Sequence, residues 1–544
     1  MKPFATFDIE TDPFKYGRHV KPFACDFFDG KRHQLFWGKD CVARCFAVMR
    51  CFNGYIYAHN GGKFDFQFLL PLLPVNDCKV SMIRSRISKI AFAKVEFRDS
   101  YLMLPIPLKT YGKTPIDYRK MESDVREQHK AEICRYLKDD CESLYEMVRE
   151  FSEEYGFGLT LAGRTFAQLK KRFDIVPPKC DVFFDRKFRR YYYGGRVEFF
   201  ELGRLRGAFK ICDINSAYPF AMKSRHAFGR AFLSVNTLPT KPSILETCFV
   251  SFVGESAGGI PWHEADGSLS FKPHRGEFHC TGWELVAARD LGLVKVQKVL
   301  RCHRPLELRH FSEFVDYFYG MKKKAEKGSP EEIFAKLILN SCYGRFATRA
   351  DLFTETKITE YGDEPEENIE AKKKGEDPPW TLTNDFEDVG ISIWETPTPL
   401  RPDSFYNVAT AASITGAVRA QLMRSLAACQ RPVYCDTDCI IAENCDALKI
   451  SPELGDWKLE GETEKDGLWI AGKKLYAAKL KTGKWKCAAK GVRIPPEQIC
   501  RIALGEVVKS NFDAPSFSLK SGTKFVSRTV RRDDQRKRRK SVDG

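Results

Sequence analysis

The fold of this chain is decided by the stretch Tyr434-Cys435-Asp436-Thr437-Asp438-Cys439. Its apolar residues predict a strand, and Asp436 and Asp438 stand where that strand turns. Carboxylates are costly to bury unless they are paired or bind a metal ion. An Asp-Thr-Asp run alone is more often an ordinary turn than a metal site, so its meaning depends on the rest of the chain.

A second stretch, far upstream, supplies a partner: Ile211-Cys212-Asp213-Ile214-Asn215-Ser216-Ala217-Tyr218-Pro219. Here too an apolar strand ends on a carboxylate and turns. Asp213 with Asp438 or Asp436 is predicted to hold two divalent ions for nucleotidyl transfer. One ion would lower the pKa of a primer 3′-hydroxyl, and the other would hold the triphosphate. Together the two stretches favour this chemistry far more than either does alone.

A helix is predicted between them, over residues 336–344. The preceding Ser329-Pro330-Glu331-Glu332 has the pattern of an N-cap, a first-turn proline and a capping box. Lys336, Asn340 and Tyr343 fall at i, i+4 and i+7, so they line one stripe. The lysine can neutralise a triphosphate, and the other two can reach a nascent base pair. A purely core-facing helix explains its leucines but accounts poorly for Asn340 and Tyr343.

The N-terminal part alternates helical stretches with short β-like runs over 4–9, 54–58 and 90–97, which indicates an α/β domain. The first run leads into a different acidic pattern, Phe7-Asp8-Ile9-Glu10-Thr11. This pattern predicts a strand with Phe7 and Ile9 in the core and with Asp8 and Glu10 on the opposite face. Two carboxylates on one face repel each other unless a cation lies between them, and Mg²⁺ or Mn²⁺ is the usual one. Taken alone, the pentapeptide fits a solvated strand edge equally well.

Two downstream segments change that balance. Asp65 ends the loop Ala58-His59-Asn60-Gly61-Gly62-Lys63-Phe64-Asp65, and a predicted helix over 132–155 carries Tyr136 and Asp140 one turn apart. Four carboxylates can hold two metal ions about 4 Å apart, one activating water and one stabilising a leaving oxygen. The tyrosine can orient the attacking water, which makes a nuclease site the preferred interpretation.

The three N-terminal motifs, Asp-x-Glu, Asn-x3-Phe-Asp and Tyr-x3-Asp, resemble those of the 3′–5′ exonucleases of family B DNA polymerases. That resemblance implies that Thr11, Asn60 and Phe64 hold a frayed single-stranded 3′ end. It also implies that Lys113, in a Lys-x2-hydrophobic motif, assists the exonuclease.

The segments around Asp213, Lys336 and Asp436 resemble polymerase motifs A, B and C of the same family, so that Asp213, Asp436 and Asp438 would be catalytic. The resemblance makes Tyr218 the steric gate against ribonucleotides. It assigns DNA contacts to the residues of a Tyr-x-Gly-Gly linker and a Lys-x-Tyr motif: Tyr192, Gly194, Gly195, Lys474 and Tyr476. The two side chains of the Lys-x-Tyr motif are expected on one strand face, towards the primer backbone. One departure is Cys439, where the family usually has serine; a small non-ligating residue there should leave activity intact.

The resemblance implies a chain of mixed α/β and α+β domains: an RNase H-like (DnaQ-like) exonuclease followed by a right-hand polymerase. The expected boundaries are 1–160 for the exonuclease, 161–200 for the linker, 201–527 for the polymerase and 528–544 for a basic disordered tail. Within the polymerase they are 201–221 and 406–480 for the palm, 311–347 for the fingers, 481–527 for the thumb, and 222–310 and 348–405 for two insertions. Residues 360–380 suggest a flexible insertion, because they are rich in Glu, Lys, Pro and Gly.

Composition agrees with a nucleic-acid enzyme. The 88 Lys and Arg residues exceed the 72 Asp and Glu residues, for a net charge of +16, which favours a polyanionic partner. The 19 cysteines include no Cys-x-x-Cys pair, which argues against a zinc ribbon. No secretory signal or membrane span is expected. We expect a monomer in the host cytoplasm, with the nucleus or the virion as alternatives.

The short chain, Lys113 and the Tyr-x-Gly-Gly motif resemble the protein-primed subgroup of the family, which replicates linear genomes of phages, adenoviruses and plasmids. That resemblance implies DNA template, dNTPs and a terminal protein as partners, with two Mg²⁺ or Mn²⁺ ions in each active site. The first insertion would contact the terminal protein, and the second would enclose DNA. The alternative is a family B polymerase that uses an ordinary nucleic-acid primer or none. A non-catalytic DNA-binding protein is disfavoured because every expected carboxylate is present, and a nuclease alone would leave the polymerase motifs unexplained. The basic tail would add DNA affinity or act as a nuclear localisation signal.

Overall fold

The structure is a computed structural model. It describes residues 2–12, 20–83, 86–111, 114–387, 389–489, 491–492, 494–510, 515–518, 522–525 and 528–533. Lys113, which was predicted to assist the exonuclease, lies outside these described residues. Within them, no helix combines the length and the apolar character needed to cross a membrane.

A mixed sheet organises the N-terminal part. Its strands are β1 (Phe4–Thr11), β2 (Pro22–Phe28), β3 (His33–Trp37), β4 (Gly54–Ala58), β5 (Lys79–Ile83), β6 (Arg86–Phe92) and β7 (Val95–Asp99). Its helices are α1 (Cys41–Met49), α2 (Asp65–Leu69) and α3 (Lys130–Tyr155). The order is β3-β2-β1-β4-β7-β6-β5, with β1, β4 and β7 parallel and β2 antiparallel to β1. Phe7 and Ile9 of β1 are buried, as predicted.

Two local predictions in this part need adjustment. The run Ile90–Phe97 was predicted as one strand, but it is split between β6 and β7 by a turn in which Ala93 has a φ of 48°. The helix predicted over 132–155 begins two residues earlier, at Lys130. Its buried face includes both Tyr136 and Asp140, as the spacing indicated.

The predicted linker contains helices of its own. This segment and the strands that follow it comprise α4 (Leu161–Phe173), β8 (Lys179–Cys180), α5 (Val182–Arg189), β9 (Val197–Phe199), β10 (Gly203–Leu205), β11 (Lys210–Ile214) and α6 (Ala217–Met222). The largest hydrophobic core runs from α3 through α4 into the polymerase-like half. In this core the Phe151 and Phe334 rings contact edge to face at 5.2 Å.

The first predicted insertion folds around a four-stranded sheet. Its elements are β12 (His226–Ala227), β13 (Phe232–Val235), α7 (Pro242–Leu245), β14 (Phe249–Ser256), β15 (Trp262–His263), β16 (Leu269–Ser270), β17 (His274–Thr281), α8 (Gly282–Asp290), β18 (Val294–Pro305) and β19 (Leu308–Arg309). The sheet order is β13-β18-β14-β17, and one face packs on α8.

Two helices separate the insertions, α9 (Ser312–Lys324) and α10 (Pro330–Phe346). The predicted N-cap is confirmed, because the Ser329 side chain accepts a hydrogen bond from the Glu332 backbone N–H at 3.3 Å. The capping box is not reciprocal. The Glu332 carboxylate accepts instead from the backbone N–H of Gly328 at 2.8 Å.

The second predicted insertion contains β20 (Thr354–Glu360), α11 (Glu366–Lys374), β21 (Thr381–Phe386), β22 (Ile391–Pro397) and β23 (Phe405–Tyr406). Strand β20 pairs with β5, so β20, β22 and β21 continue the N-terminal sheet. The expectation of a flexible segment over 360–380 is wrong. Helix α11 forms there, and the buried Asn368 side chain both donates to and accepts from the Trp380 backbone at 2.8 Å.

The C-terminal part has a second large sheet. Its elements are α12 (Val408–Ala428), β24 (Gln430–Asp436), β25 (Cys439–Asn444), β26 (Trp457–Gly472), β27 (Leu475–Leu480), β28 (Trp485–Ala489), α13 (Pro496–Ala503), β29 (Val508–Ser510), β30 (Pro515–Ser518), β31 (Gly522–Phe525) and β32 (Arg528–Val530). The sheet order is β28-β27-β26-β11-β25-β24-β9, so β11 joins strands from the far end of the chain.

The basic tail was expected to be disordered from residue 528. Its first residues instead form β32, which pairs antiparallel with β29, and Val530 is buried against α13. Val530 is an apolar residue within this basic run, and its burial stabilises the paired conformation. Residues 534–544 lie outside the described part of the chain.

Candidate functional site

The N-terminal carboxylates converge where β1 faces α3. Ligand oxygens of Asp8, Glu10 and Asp140 lie within 4.8 Å of one another. Strand alternation places the two β1 residues on one face, and the packing of α3 on β1 brings the third to them. Such a spacing is that of a divalent cation site built from hard oxygen ligands.

Asp65, the fourth predicted carboxylate, lies beside this cluster at the start of α2. It is buried, and its Oδ1 atom has no hydrogen-bond partner among the described residues. Burial raises the pKa of Asp65 well above its usual range, and the negative charge of Asp8 raises it further. A buried carboxylate that faces another acidic group is stabilised by a bound cation, which restores its ionised form.

The loop before Asp65 is shaped by close backbone packing. Asn60 has a φ of 65°. A Cβ at Gly62 would come within 1.8 Å of the carbonyl oxygen of Ile87, so no larger residue fits there. The same glycine approaches Asp99, a buried carboxylate that accepts a hydrogen bond from the Arg86 Nη1 at 2.6 Å. No sequence pattern predicted this Arg86–Asp99 pair, because its members belong to no recognised motif.

Tyr136 lies one turn before Asp140, and its hydroxyl is 3.2 Å from that of Tyr118. Burial raises the pKa of the Tyr136 phenol, and the nearby Asp140 and Glu10 carboxylates raise it further. The group therefore keeps its proton at neutral pH and remains a hydrogen-bond donor. Tyr118 is 60% exposed and was not predicted as a site residue.

The two remaining predicted contacts for a 3′ end flank this cluster. Thr11 is buried, and its hydroxyl donates to the carbonyl of Asp12 at 3.3 Å. Asp12 in turn accepts from Arg126 at 2.5 Å. Phe64 is half-buried and meets Phe68 edge to face at 5.2 Å.

In the C-terminal half, the three polymerase-type aspartates meet where β11 runs beside the β24–β25 turn: Asp213 lies in β11, Asp436 ends β24 and Asp438 lies in the turn. Asp213 of β11 and Asp436 of β24 both pair with Cys439 of β25, and the Asp438 carbonyl accepts from the Ile214 N–H at 2.8 Å. Burial raises the pKa of Asp213 to about 6, and the charge of Asp438 contributes. Burial raises the pKa of Asp438 as well. Two acidic groups that oppose each other's ionisation would both be ionised more easily with a cation between them.

Asp436 has a different partner. Its carboxylate oxygens lie 2.6 and 2.7 Å from the Lys474 Nζ, and the Tyr434 hydroxyl donates to it at 3.4 Å. Lys474 lies in the two-residue turn between β26 and β27 with a φ of 56°. Because Asp436 contacts Lys474 in this conformation, Asp213 and Asp438 remain as the two aspartates that face each other.

The prediction that the Lys474 and Tyr476 side chains share one strand face is wrong. The lysine lies in the turn, outside either strand, and Tyr476 is buried against Tyr434 with ring centroids 5.2 Å apart. The left-handed conformation at Lys474 breaks the strand alternation that the prediction assumed.

The Asp436–Asp438 turn rests on the predicted linker. Thr437 has a φ of 62°, and its N–H donates to the carbonyl of Arg196 at 2.7 Å. A Cβ at Gly195 would come within 2.5 Å of the Thr437 hydroxyl oxygen. Gly194 contacts a buried arginine, Arg419 of α12, which donates to its carbonyl at 2.9 Å.

Arg419 is the largest fully buried side chain among the described residues, and sequence reasoning missed it. It also donates to the Tyr193 carbonyl at 2.6 Å and pairs with the buried Glu284 at 2.7 Å. Glu284 is the capping-box residue of α8. The linker is thus held by α12 and by the first insertion together. Tyr192 is half-buried beside it.

The stripe on α10 is confirmed. Lys336 and Asn340 are exposed, and Tyr343 stacks on Tyr218 with ring centroids 4.0 Å apart. Lys322 of α9, which was not predicted as a site residue, lies near Lys336. Burial lowers the pKa of Lys322, and the positive charge of Lys336 lowers it further. Two lysines on neighbouring helices form a surface suited to a polyphosphate.

Comparisons with known proteins bear on both sites. The sequence matches the family described as DNA polymerase type B, organellar and viral, over residues 109–252 and 303–414. The DNA-directed DNA polymerase of Enterobacteria phage PRD1 is 37% identical over 570 aligned residues, which cover 97% of each chain. A probable DNA polymerase of Ascobolus immersus is 22% identical, in an alignment that covers 64% of this chain and 35% of the Ascobolus protein.

Solved structures of Phi29 DNA polymerase superpose on nearly the whole chain at 16% sequence identity. The complex with primer-template DNA has a TM-score of 0.74 and the orthorhombic crystal form one of 0.75; each covers 98% of this chain and 100% of that one. This likeness confirms the predicted fold class, an RNase H-like domain followed by a right-hand polymerase domain. By its extensive identity to the phage enzyme, the chain belongs to the family B DNA polymerases of the organellar and viral type.

Proposed function

We propose that this DNA-directed DNA polymerase extends primers at Asp213 and Asp438 and proofreads at the cluster of Asp8, Glu10 and Asp140. The observation that carries the proposal is the convergence of acidic groups at two separate places, each built from elements distant in sequence. Each place has the acidic character of a divalent cation site. A single-function nuclease would need only the first.

The residues present suit divalent ions. The raised pKa values of Asp213 and Asp438, and the buried Asp65 with its unpartnered oxygen, are what carboxylates show before a cation compensates them. When bound, Mg²⁺ or Mn²⁺ supplies charge stabilisation and activation of a hydroxyl or a water. Asp213 and Asp438 would hold the ions for synthesis, with Asp436 joining them if Lys474 moves away.

The other polymerase residues position the substrates. Lys336 and Lys322 present positive charge to the triphosphate, and Asn340 lies on the same exposed stripe of α10. Tyr218 stacks on Tyr343, and in this proposal its ring acts as the steric gate against a ribose 2′-hydroxyl. Lys474 exchanges its contact with Asp436 for the primer backbone when DNA arrives.

For proofreading, Tyr136 acts as a protonated hydrogen-bond donor that orients water next to Asp140. Thr11, Asn60 and Phe64 hold the unpaired 3′ end. Asp65 completes the acidic set. Lys113 belongs to this proposal by motif alone.

Single-site variants separate the two activities. Asp438→Ala is expected to lower primer extension by roughly three orders of magnitude or more while leaving degradation of single strands intact. Asp8→Ala with Glu10→Ala is expected to do the reverse. Extension and degradation of a labelled primer, measured in the same samples, check both. Full-length extension by Asp438→Ala would contradict the polymerase site, and trimming of mismatched ends by the double variant would contradict the exonuclease site.

We further propose that a terminal protein provides the primer hydroxyl and contacts the first insertion. The similarity to a phage enzyme across the full chain supports this, as do the retained Tyr-x-Gly-Gly residues. Incubation with a labelled dNTP, Mg²⁺, template and candidate terminal protein tests it. Label bound covalently to protein is the expected result. Label found only in strands extended from an oligonucleotide would favour an ordinary primer.

A further inference from the structure

The outer face of the sheet in the first insertion carries a row of cations. In β18, Lys295, Lys298 and Arg301 are spaced three residues apart, which in a regular strand would put neighbouring members on opposite faces. Two bulges cancel this alternation. The pairing with β14 shifts register at two points, so the three cations lie opposite Glu255, Val253 and Ser251, which are alternate residues of one strand.

The bulges therefore place all three cations on one face. Residues directly opposite each other in a sheet point to the same side. The reverse side of the sheet is buried against α8, with Val250, Phe252 and Cys302 in that core. The cation row consequently lies on the solvent side, where each of its members is exposed. Bulges that redirect side chains are a recurrent feature of binding surfaces.

The row has no anionic partners of its own. Of the two acidic residues on the same face, Glu255 pairs with Arg275 at 3.5 Å, and Glu277 lies 3.5 Å from the His279 ring. Within the described part of the chain, Lys295, Lys298 and Arg301 take part in no ion pair. An exposed set of uncompensated cations attracts a polyanion.

Helix α5 adds to this positive field. Lys187 and Arg190 lie close enough to the buried His303 of β18 to act on it together with Arg301. Burial and these three cations hold the pKa of His303 down at about 4. The "basic sheet face" is therefore formed by Lys187, Arg190, Lys295, Lys298 and Arg301.

This face is continuous with the linker that is proposed to touch the template. Arg190 is followed directly by Tyr191, whose hydroxyl is 2.7 Å from the Ser251 hydroxyl beneath the row. The chain continues through Tyr192 and Gly194 to Gly195, which lies against Thr437 of the Asp436–Asp438 turn. A strand that contacts the linker therefore meets the basic sheet face without leaving the protein surface.

We propose that the basic sheet face binds the phosphodiester backbone of DNA that extends from the polymerase site. Because they lie opposite alternate residues of β14, neighbouring cations of the row are about 6.8 Å apart, which is about twice the axial rise per phosphate of one strand of B-form DNA. A linear row at this interval suits a regular polyanion better than an acidic protein, whose charges have no fixed period. The proposal rests on the proposed function only in taking DNA as the substrate.

The test replaces the row as Lys295→Gln, Lys298→Gln and Arg301→Gln in the full chain. Lys170→Gln, Lys171→Gln and Lys373→Gln form the matched control, because these lysines are exposed and the net charge falls equally. Affinity for a primed template with a long single-stranded overhang, and for a blunt duplex, is measured in EDTA across a salt series. Unchanged unfolding midpoints of the variants show that the fold is intact. The charge-conserving variant Arg301→Lys should keep the DNA affinity of wild type.

In the row variant, the slope of log affinity against log salt is expected to be shallower by about 2. Each of the three lost phosphate contacts contributes about 0.7 to that slope for a single strand. The ratio of wild-type to variant affinity should then fall about 15-fold as salt rises from 50 to 200 mM. The control variant should keep an affinity near that of wild type throughout. If only the primed template with an overhang binds more weakly, this face binds the single strand. If the blunt duplex binds more weakly as well, this face binds the duplex.

Three outcomes overturn the proposal: an unchanged slope, an equal loss in the control, or normal DNA binding with loss confined to initiation on terminal protein. The last would assign the face to an acidic protein. Failure of the proposed function is distinguishable, because Asp438→Ala removes synthesis without changing this DNA affinity.

Discussion

Gly195 lies against Thr437, and the left-handed backbone of Thr437 sets the turn between the two polymerase aspartates. Gly195→Ala should push that turn away by contact with the Thr437 side chain, and so reduce primer extension at least tenfold while sparing degradation of single strands. Adding Thr437→Gly removes the side chain and suits the positive φ. Partial recovery in the double variant, measured as extension rate, is expected. Additive losses would show that the two residues act independently.

A second effect at this scale concerns pH. His226 is fully buried between the Ser413 hydroxyl and the Ala221 carbonyl, and burial lowers its pKa from 6.5 to about 4. A group whose pKa is lower in the folded protein takes up its proton on unfolding, so it lowers stability as the pH falls from 6.5 towards 4. Between pH 7 and pH 5 this amounts to about 2 kcal/mol.

The variant His226→Gln lacks that titration. Its free energy of unfolding in urea should therefore fall less than that of wild type between pH 7 and pH 5, although it is less stable at pH 7. Equal losses in the two proteins would show that His226 does not titrate on unfolding.

At the scale of elements, the turn between β26 and β27 is held from outside. Asp533, just after β32, accepts a hydrogen bond from the Lys473 N–H at 2.7 Å and occupies the space beside Gly472. The same turn presents Lys474 to Asp436. The C-terminal segment thereby supports the polymerase site through one backbone contact.

Asp533→Ala should consequently raise the KM for primed template several-fold and leave exonuclease activity on single strands unchanged. Asp533→Asn keeps an oxygen acceptor and should stay close to wild type. Steady-state kinetics on both substrates provide the measurement. Equal defects in the two variants would point to the charge rather than to the hydrogen bond.

At the scale of the whole molecule, the halves that carry the two proposed catalytic sites share one core. Phe334 of α10 is buried against Phe151 and Tyr155 of α3, the helix that carries Asp140. The second insertion joins the halves again, because β20 extends the N-terminal sheet through β5. The two proposed active sites are thus attached to a continuous structure.

Phe334→Ala is expected to cost about 3–5 kcal/mol of unfolding free energy, because a large side chain is removed from a packed interior. Both activities should then be lost together on heating. Phe183→Ala, at a ring that is 76% exposed, is the control and should change stability by less than about 0.5 kcal/mol. Loss of synthesis alone on heating would contradict a shared core.

Much of the site could be predicted because its signals are local. Strand alternation put Asp8 and Glu10 together, helical spacing paired Tyr136 with Asp140, and Ser329 marked the start of α10. Errors arose where the backbone leaves its regular form, at Ala93 and at Lys474, since a positive φ in a non-glycine residue has no periodic signal.

The sequence by itself determined which residue types stand at both catalytic places, because motif spacing depends only on strand and helix geometry. The tertiary structure alone decided which of them meet: that Asp436 pairs with Lys474, that Arg419 holds the linker, and that Asp533 supports the turn. It also decided that bulges align Lys295, Lys298 and Arg301 on one face. These contacts join residues far apart in the chain or depend on pairing register, and both follow from the packing of the whole molecule rather than from any local pattern.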